Sequence, residues 1–183
     1  MEQVAQRRLN IWLVWQHERE QRRLDQLSEK GLHFEKPGFL YAWFRMDPGA
    51  RYVYRLDYQP ALRAREAVAD YRALFEDAGW EYMGRCTGWQ YFRKPWSPQG
   101  VVDVYTDRQS LRSLYRRIQR MMGLVLLVEL LIAAYEGGLL RVVAPHIPNI
   151  WSWAWPFWVL WAGLVIALAY GFFKIRQKRR ASL

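Results

Sequence analysis

Cysteine is all but missing. Cys86 is the single one among 183 residues, so no intrachain disulfide can form and nothing calls for an oxidising compartment. Histidine is nearly as scarce: His17, His33 and His146 are scattered, with no metal-ligand spacing to one another or to Cys86. Neither a metal nor a cofactor is therefore expected. Gly79, Gly84 and Gly88 do not make a phosphate loop, and no Walker pattern exists. The few serines include none in a nucleophile elbow. With no complete catalytic set, a non-enzymatic role is expected. A secretory leader is not expected either. The N-terminal apolar run, residues 9–15, is short, leads into His17-Glu18-Arg19-Glu20 and lacks a small-residue cleavage site.

Acidic residues nearly vanish in the C-terminal part. Residues 1–110 carry 17 Lys/Arg against 15 Asp/Glu, a net of +2, whereas residues 111–183 carry 10 against 2, a net of +8. The overall charge of +10 thus belongs mostly to the C-terminal segment. A nucleic-acid-binding domain needs a basic patch of its own, so the near-neutral N-terminal part disfavours RNA or DNA as a partner.

What the chain has in quantity is apolar and aromatic side chains. They make up 52% of the sequence, with 11 Trp, yet the mean hydropathy is only −0.25, so they are concentrated locally. Residues 121–143 are apolar except for Glu129, Glu136 and Arg141, and residues 151–173 carry no charge. Each run is long enough to cross a hydrocarbon core of about 30 Å as a helix. The short linker with Pro145, His146 and Pro148 suits a helical hairpin. Trp151, Trp153, Trp155 and Trp158 at one end of the second run, and Tyr170, Phe172 and Phe173 at the other, match the aromatic belts of a membrane span. Arg112, Arg116, Arg117 and Arg120 precede the first run. Lys174, Arg176, Lys178, Arg179 and Arg180 follow the second, and only Arg141 lies near the hairpin loop. This asymmetry predicts an inner-membrane protein with both termini cytoplasmic and its basic clusters touching anionic lipid headgroups.

The N-terminal residues 1–110 read as a duplicated α+β domain. A shift of 48 residues places Gly31-Leu32-His33-Phe34 on Gly79-Trp80-Glu81-Tyr82, and Tyr41-Ala42-Trp43-Phe44-Arg45 on Trp89-Gln90-Tyr91-Phe92-Arg93. The unit reads strand–helix–strand–strand. In the first copy, strands are expected at 9–15, 32–36 and 39–46, with a helix at 18–30 stopped by Gly31. In the second, strands are expected at 51–58, 80–85 and 89–94, with a helix at 62–78 whose apolar positions 64, 67, 68, 71, 75 and 78 form one stripe. Thr87-Gly88 is the expected hairpin turn. A last strand is expected at 101–105, and Asp107 is placed to cap a helix that runs into the first span. Two helices among antiparallel strands predict a ferredoxin-like antiparallel sheet, followed by the transmembrane hairpin.

Several of these segments resemble a known family. Glu29-Lys30-Gly31-Leu32, Tyr54-Arg55-Leu56-Asp57-Tyr58, Ala78-Gly79-Trp80-Glu81-Tyr82 and Gly88-Trp89-Gln90-Tyr91-Phe92-Arg93-Lys94-Pro95 are similar to motifs of a bacterial membrane-protein family defined only by a domain of unknown function. The resemblance covers roughly residues 9–110. It implies a cytosolic domain followed by hydrophobic spans, often encoded beside PadR-like transcriptional regulators. It implies no reaction and no catalytic residues.

Three groups of residues are candidate sites. Alternation along a strand puts Tyr41, Trp43 and Arg45 on one face, and Trp89, Tyr91 and Arg93 on one face of the equivalent strand. Trp, Tyr and Arg dominate binding hot spots, so these faces are expected to meet a protein partner or a small ligand. The alternative is that the rings are core and the arginine tips snorkel outward. Arg55 and Asp57 share a side of their strand and can pair or hold a polar ligand, although an Asp before Gln59-Pro60 also reads as a turn residue. Glu129 and Glu136 are seven residues apart, nearly on one helix face. An intramembrane carboxylate is a working group in a transport or enzyme complex, or a polar tie in helix packing and homo-oligomerisation, aided by Gly137-Gly138.

Overall fold

The computed structural model describes residues 6–62, 64–99, 108–143, 146–147 and 150–181. The chain divides into two compact units, Met1–Ser110 and Leu111–Leu183.

In the first unit six strands form two antiparallel sheets of three. The first sheet holds β1 (Gln6–Leu9), β2 (Leu32–Lys36) and β3 (Tyr41–Met46) in the order β1-β3-β2. The second holds β4 (Tyr52–Tyr58), β5 (Glu81–Cys86) and β6 (Trp89–Pro95) in the order β4-β6-β5. Helices α1 (His17–Glu29) and α2 (Arg65–Asp77) follow β1 and β4. The same strand–helix–strand–strand unit therefore occurs twice, and both helices run out into a left-handed glycine, Gly31 at φ 77° and Gly79 at φ 79°. The β5–β6 turn is Thr87-Gly88, with φ of 48° and 86°, as a two-residue hairpin requires.

Two expectations change. Residues 9–15 are not a strand. Pairing ends at Leu9, with a last bond from Asn10 N to the Leu40 carbonyl, and Val14–Gln16 is a 3-10 turn. The segment leaves the sheet so that Trp12 can reach Trp89, 5.1 Å away between ring centroids, and Trp15 can be buried. Nor do the strands merge into one ferredoxin-type sheet: there are two sheets of three, and the outer edge of β4 is bonded to α1 instead of to another strand. Tyr52 N donates to Ser28 Oγ (2.7 Å), Tyr54 N to Asp25 Oδ1 (2.6 Å) and Leu56 N to Gln21 Oε1 (3.0 Å). Alternate strand residues are about 6.7 Å apart, and helix residues three or four apart advance about 4.5–6 Å. One face of α1 can thus answer three successive edge donors, short Ser28 and longer Gln21 making up the difference. Covering an edge this way prevents further strand pairing.

The second sheet is covered on both faces. Tyr54, Leu56 and Tyr58 lie opposite Arg93, Tyr91 and Trp89. This face meets the first sheet, where Phe34 packs against Tyr91 (5.0 Å) and Tyr54 (5.9 Å). On the other face Val53 and Phe92 pack with Trp80 against Tyr71 and Phe75 of α2. The Phe75 and Phe92 rings stack 4.1 Å apart. At the positions equivalent to Gln21, Asp25 and Ser28, α2 carries Ala69, Ala73 and Glu76, and it lies on the sheet rather than along its edge.

The second unit is an antiparallel pair of long helices, α3 (Arg108–Val143) and α4 (Ile150–Ala181). Gly123 approaches Phe172, and further along α3 Glu129 bonds to Trp161, so contacts move down one helix as they move up the other. Gln109–Val142 and Ala154–Ala181 are long and apolar enough to cross a membrane, and 0% and 6% of their most apolar windows are buried. Outward-facing Leu124, Leu131, Phe157, Leu160 and Ile166 make them unlike the core helices of a water-soluble body. The expected strand at 101–105, the Asp107 cap, Pro145, Pro148 and the side chains of Trp151 and Trp153 lie outside the described residues.

Candidate functional site

Strand β3 is the central strand of the first sheet. Ala42 and Phe44 point inward with no exposure, which turns Tyr41, Trp43 and Arg45 outward. Tyr41 is 38% exposed. The Arg7 guanidinium sits 4.2 Å from the Tyr41 ring centroid and the Lys36 ammonium 5.8 Å from that of Trp43. Arg45 pairs with Glu35 at 2.7 Å. The result is an uncovered aromatic face edged by cations, in which each ring is already polarised toward positive charge.

The equivalent residues of β6 have the opposite fate. Trp89 and Tyr91 are 1% and 2% exposed. Trp89 packs among Trp12, His17 and Tyr58, and Tyr91 stacks on Phe34. Burial pushes the Tyr91 hydroxyl well above the ordinary phenol range. Arg93 is half-buried, bidentate with Glu81 (2.6 and 2.9 Å) and 4.5 Å from the Tyr52 ring centroid. Arg55 pairs with Asp25 of α1 (3.1 Å), and Asp57 is buried, accepting from Tyr71 Oη (2.7 Å) and Gln59 Nε2 (2.9 Å). These five side chains of the second sheet are tied into the packing.

Ser28 and His33 are the nearest approach to an activated nucleophile. The Asp47 carbonyl can only accept, so His33 Nε2 donates to it (2.7 Å), and Nδ1 accepts from the Ser28 hydroxyl (2.9 Å). Ser28 Oγ also accepts from Tyr52 N, and both side chains are buried. The pair is a cross-link between α1, β2 and β4. Among the described residues no cluster of His, Cys, Asp and Glu has a metal-binding arrangement.

In the second unit Trp161 Nε1 donates to Glu129 Oε2 (2.9 Å), tying the two long helices together. Glu136 lines an open cleft of about 450 Å3 with Leu140, Phe157, Trp158 and Trp161.

Sequence reasoning missed a groove in the first unit. Ile11, Trp12, Phe39, Leu40, Cys86 and Trp89 border a space of about 280 Å3. Its only signal in the sequence is the apolar pair Phe39-Leu40 directly after Gly38, where a turn would ordinarily be polar. A side chain at Gly38 would collide with the Tyr41 carbonyl and the Trp43 ring, so the turn that presents Phe39 needs glycine.

A family model described as Protein of unknown function (DUF2812) matches residues 16–127, more than half of the chain. The chain belongs to this family. The match runs from the turn before α1, through β2 to β6, and into the first apolar helix, so the family joins most of this α+β unit to the start of that helix. No curated protein and no solved structure matches.

Proposed function

We propose that this DUF2812 member is a membrane-anchored, non-enzymatic binding module whose protein partner docks on the outer face of the first sheet. The carrying observation is the uncovered face of Tyr41 and Trp43, edged by Arg7, Lys36 and Arg45, in a unit whose other sheet is covered on both sides. The lysine and arginine asymmetry supports a cytoplasmic position for this unit. The resemblance to bacterial proteins encoded beside PadR-like regulators makes a transcriptional regulator the first partner class to examine. The test is cross-linking mass spectrometry on the tagged full chain in its native membrane. One partner should cross-link next to β3, and Trp43→Ala should abolish the link while thermal melting is unchanged. A partner that survives Trp43→Ala and Tyr41→Ala together refutes the docking face.

A second reading, a membrane subunit working through Glu129, is favoured by the carboxylate held inside the apolar hairpin. On that reading Glu129→Gln removes activity while the hairpin stays assembled. If Glu129 is a packing tie, Glu129→Gln keeps an acceptor for Trp161 and Glu129→Leu loosens the hairpin by about 0.6 kcal/mol. Site-specific cross-linking between α3 and α4 reads the difference.

A further inference from the structure

Inside the second unit a carboxylate stands without a counter-charge. Glu136 lies within Gln109–Val142, the first helix long and apolar enough to cross a membrane, and its side chain is exposed. Among the described residues no hydrogen bond or ion pair reaches its carboxylate. A charge within a membrane span is costly unless something neutralises it. The chain itself has little to offer. Arg141 is the only Lys or Arg between residues 121 and 173, and a residue five places along a helix lies about 140° around it. His146 Nδ1 is bonded to the Val142 carbonyl (3.0 Å). Glu136 opens instead onto the cleft of about 450 Å3 that it shares with Leu140, Phe157, Trp158 and Trp161. The Trp158 and Trp161 rings stand nearly perpendicular, at 83° with centroids 5.7 Å apart, and form a corner of two aromatic walls. The Trp161 N–H is taken by Glu129, which fixes the ring and leaves its π face as what it offers a guest. Aromatic faces attract cations, as a carboxylate does. Among the described residues the lining holds no Lys, Arg or His. An anionic group on a guest would therefore lose its water here, gain no partner and face Glu136.

We propose that this cleft binds a lipophilic organic cation, a quaternary ammonium or phosphonium with no anionic group, whose charge faces Glu136 while its apolar body lies against Phe157, Trp158 and Trp161. The volume is within the range of pockets for drug-sized molecules. Glu129 is a positioning residue of this site and acts through the Trp161 ring. The site lies wholly in the second unit and stands whether or not a protein docks on β3.

Tetraphenylphosphonium and tetraphenylborate have one shape and opposite charges, so together they isolate the effect of sign. The full chain is placed in nanodiscs of digalactosyldiacylglycerol, an uncharged lipid with neither ammonium nor phosphate. Binding of each tritiated ion is measured by equilibrium dialysis, with partition into empty discs subtracted. The phosphonium should bind saturably, and the borate should show no excess over empty discs. Glu136→Gln keeps the size of the side chain and removes its charge, and should weaken the phosphonium about ten- to hundred-fold, as loss of a half-desolvated charge pair does. Glu136→Asp retains the charge and should keep the preference for the cation. Trp158→Leu should weaken the phosphonium about two- to thirty-fold, the ratio one cation–π contact carries. Circular dichroism should be unchanged in all three variants. Exchanging half of the lipid for phosphatidylethanolamine should leave binding as it was. Displacement by that lipid would assign the cleft to a headgroup ammonium and overturn the proposal. Phosphonium binding that survives Glu136→Gln, or equal binding of the borate, would overturn it too. So would the absence of saturable binding, and a cross-linked dimer that Glu136→Gln dissolves would then assign the cleft to a second copy of the chain.

Discussion

Asp25→Ala probes the contact that keeps the two sheets apart. The substitution removes the acceptor of the Tyr54 N–H, 2.6 Å away on a residue with no exposure, and the partner of Arg55. A hydrogen bond to a charged group contributes about 1.5–3 kcal/mol. The ion pair adds about 1 kcal/mol at most, because Arg55 keeps its bond to the Tyr54 carbonyl (2.7 Å) when the carboxylate is gone. Alanine returns about 0.5 kcal/mol of helix propensity. The net is a loss of about 2 kcal/mol, which speeds exchange of the Tyr54 amide about 30-fold if it opens locally. Asp25→Asn retains an acceptor and should cost about half as much, and Gln21→Ala, which removes a neutral bond to Leu56, about 1 kcal/mol. Hydrogen-exchange mass spectrometry of the β4 peptide in the full chain, in nanodiscs, measures all three. Two results refute the reasoning: β4 exchange that stays at the wild-type rate in Asp25→Ala, or Asn and Ala variants that are equally damaging.

Gly31 and Gly79 occupy the same position of the repeat, yet their substitutions should differ. Alanine at Gly79 bears the left-handed backbone cost, about 1–2 kcal/mol, and displaces only the flexible end of Lys94 at 3.3 Å. Alanine at Gly31 meets the Pro48 backbone at 2.9 Å as well, so its melting temperature should fall further. Equal shifts would mean that the Pro48 turn gives way. Alkaline pH should destabilise the first unit. Burial raises the Tyr54 and Tyr91 hydroxyls above the ordinary phenol value of about 10. The unfolded chain therefore releases these protons first, and stability that is complete below about pH 10 falls above it by about 1.4 kcal/mol per pH unit for each tyrosine. Burial raises the Tyr58 hydroxyl too, so Tyr91→Phe should make the slope in thermal melts shallower by one tyrosine's share rather than abolish it, and an unchanged slope would contradict it.

The sequence by itself determined the periodic features. Backbone geometry fixes alternation along a strand and the stripe along a helix, so β2, α1, the Thr87-Gly88 hairpin and the glycine stops were legible from a few neighbours each. Hydropathy is equally local, and the long apolar helices follow from it alone. The 48-residue shift was legible too, because both copies keep their glycines and aromatic strands. What it did not reveal is that equivalent residues part ways. Trp43 and Tyr91 hold the same kind of strand position, but Trp43 faces outward while Tyr91 is 2% exposed. That outcome depends on which layers stack on which sheet, a contact between residues far apart in the chain. The ladder from Ser28, Asp25 and Gln21 to β4 is likewise non-local, and it closes the β4 edge of the second of the two sheets. The groove beside Trp89 has the same origin. It exists because residues 10–14 leave the first sheet to meet β6, and no window of sequence contains both sides of that meeting.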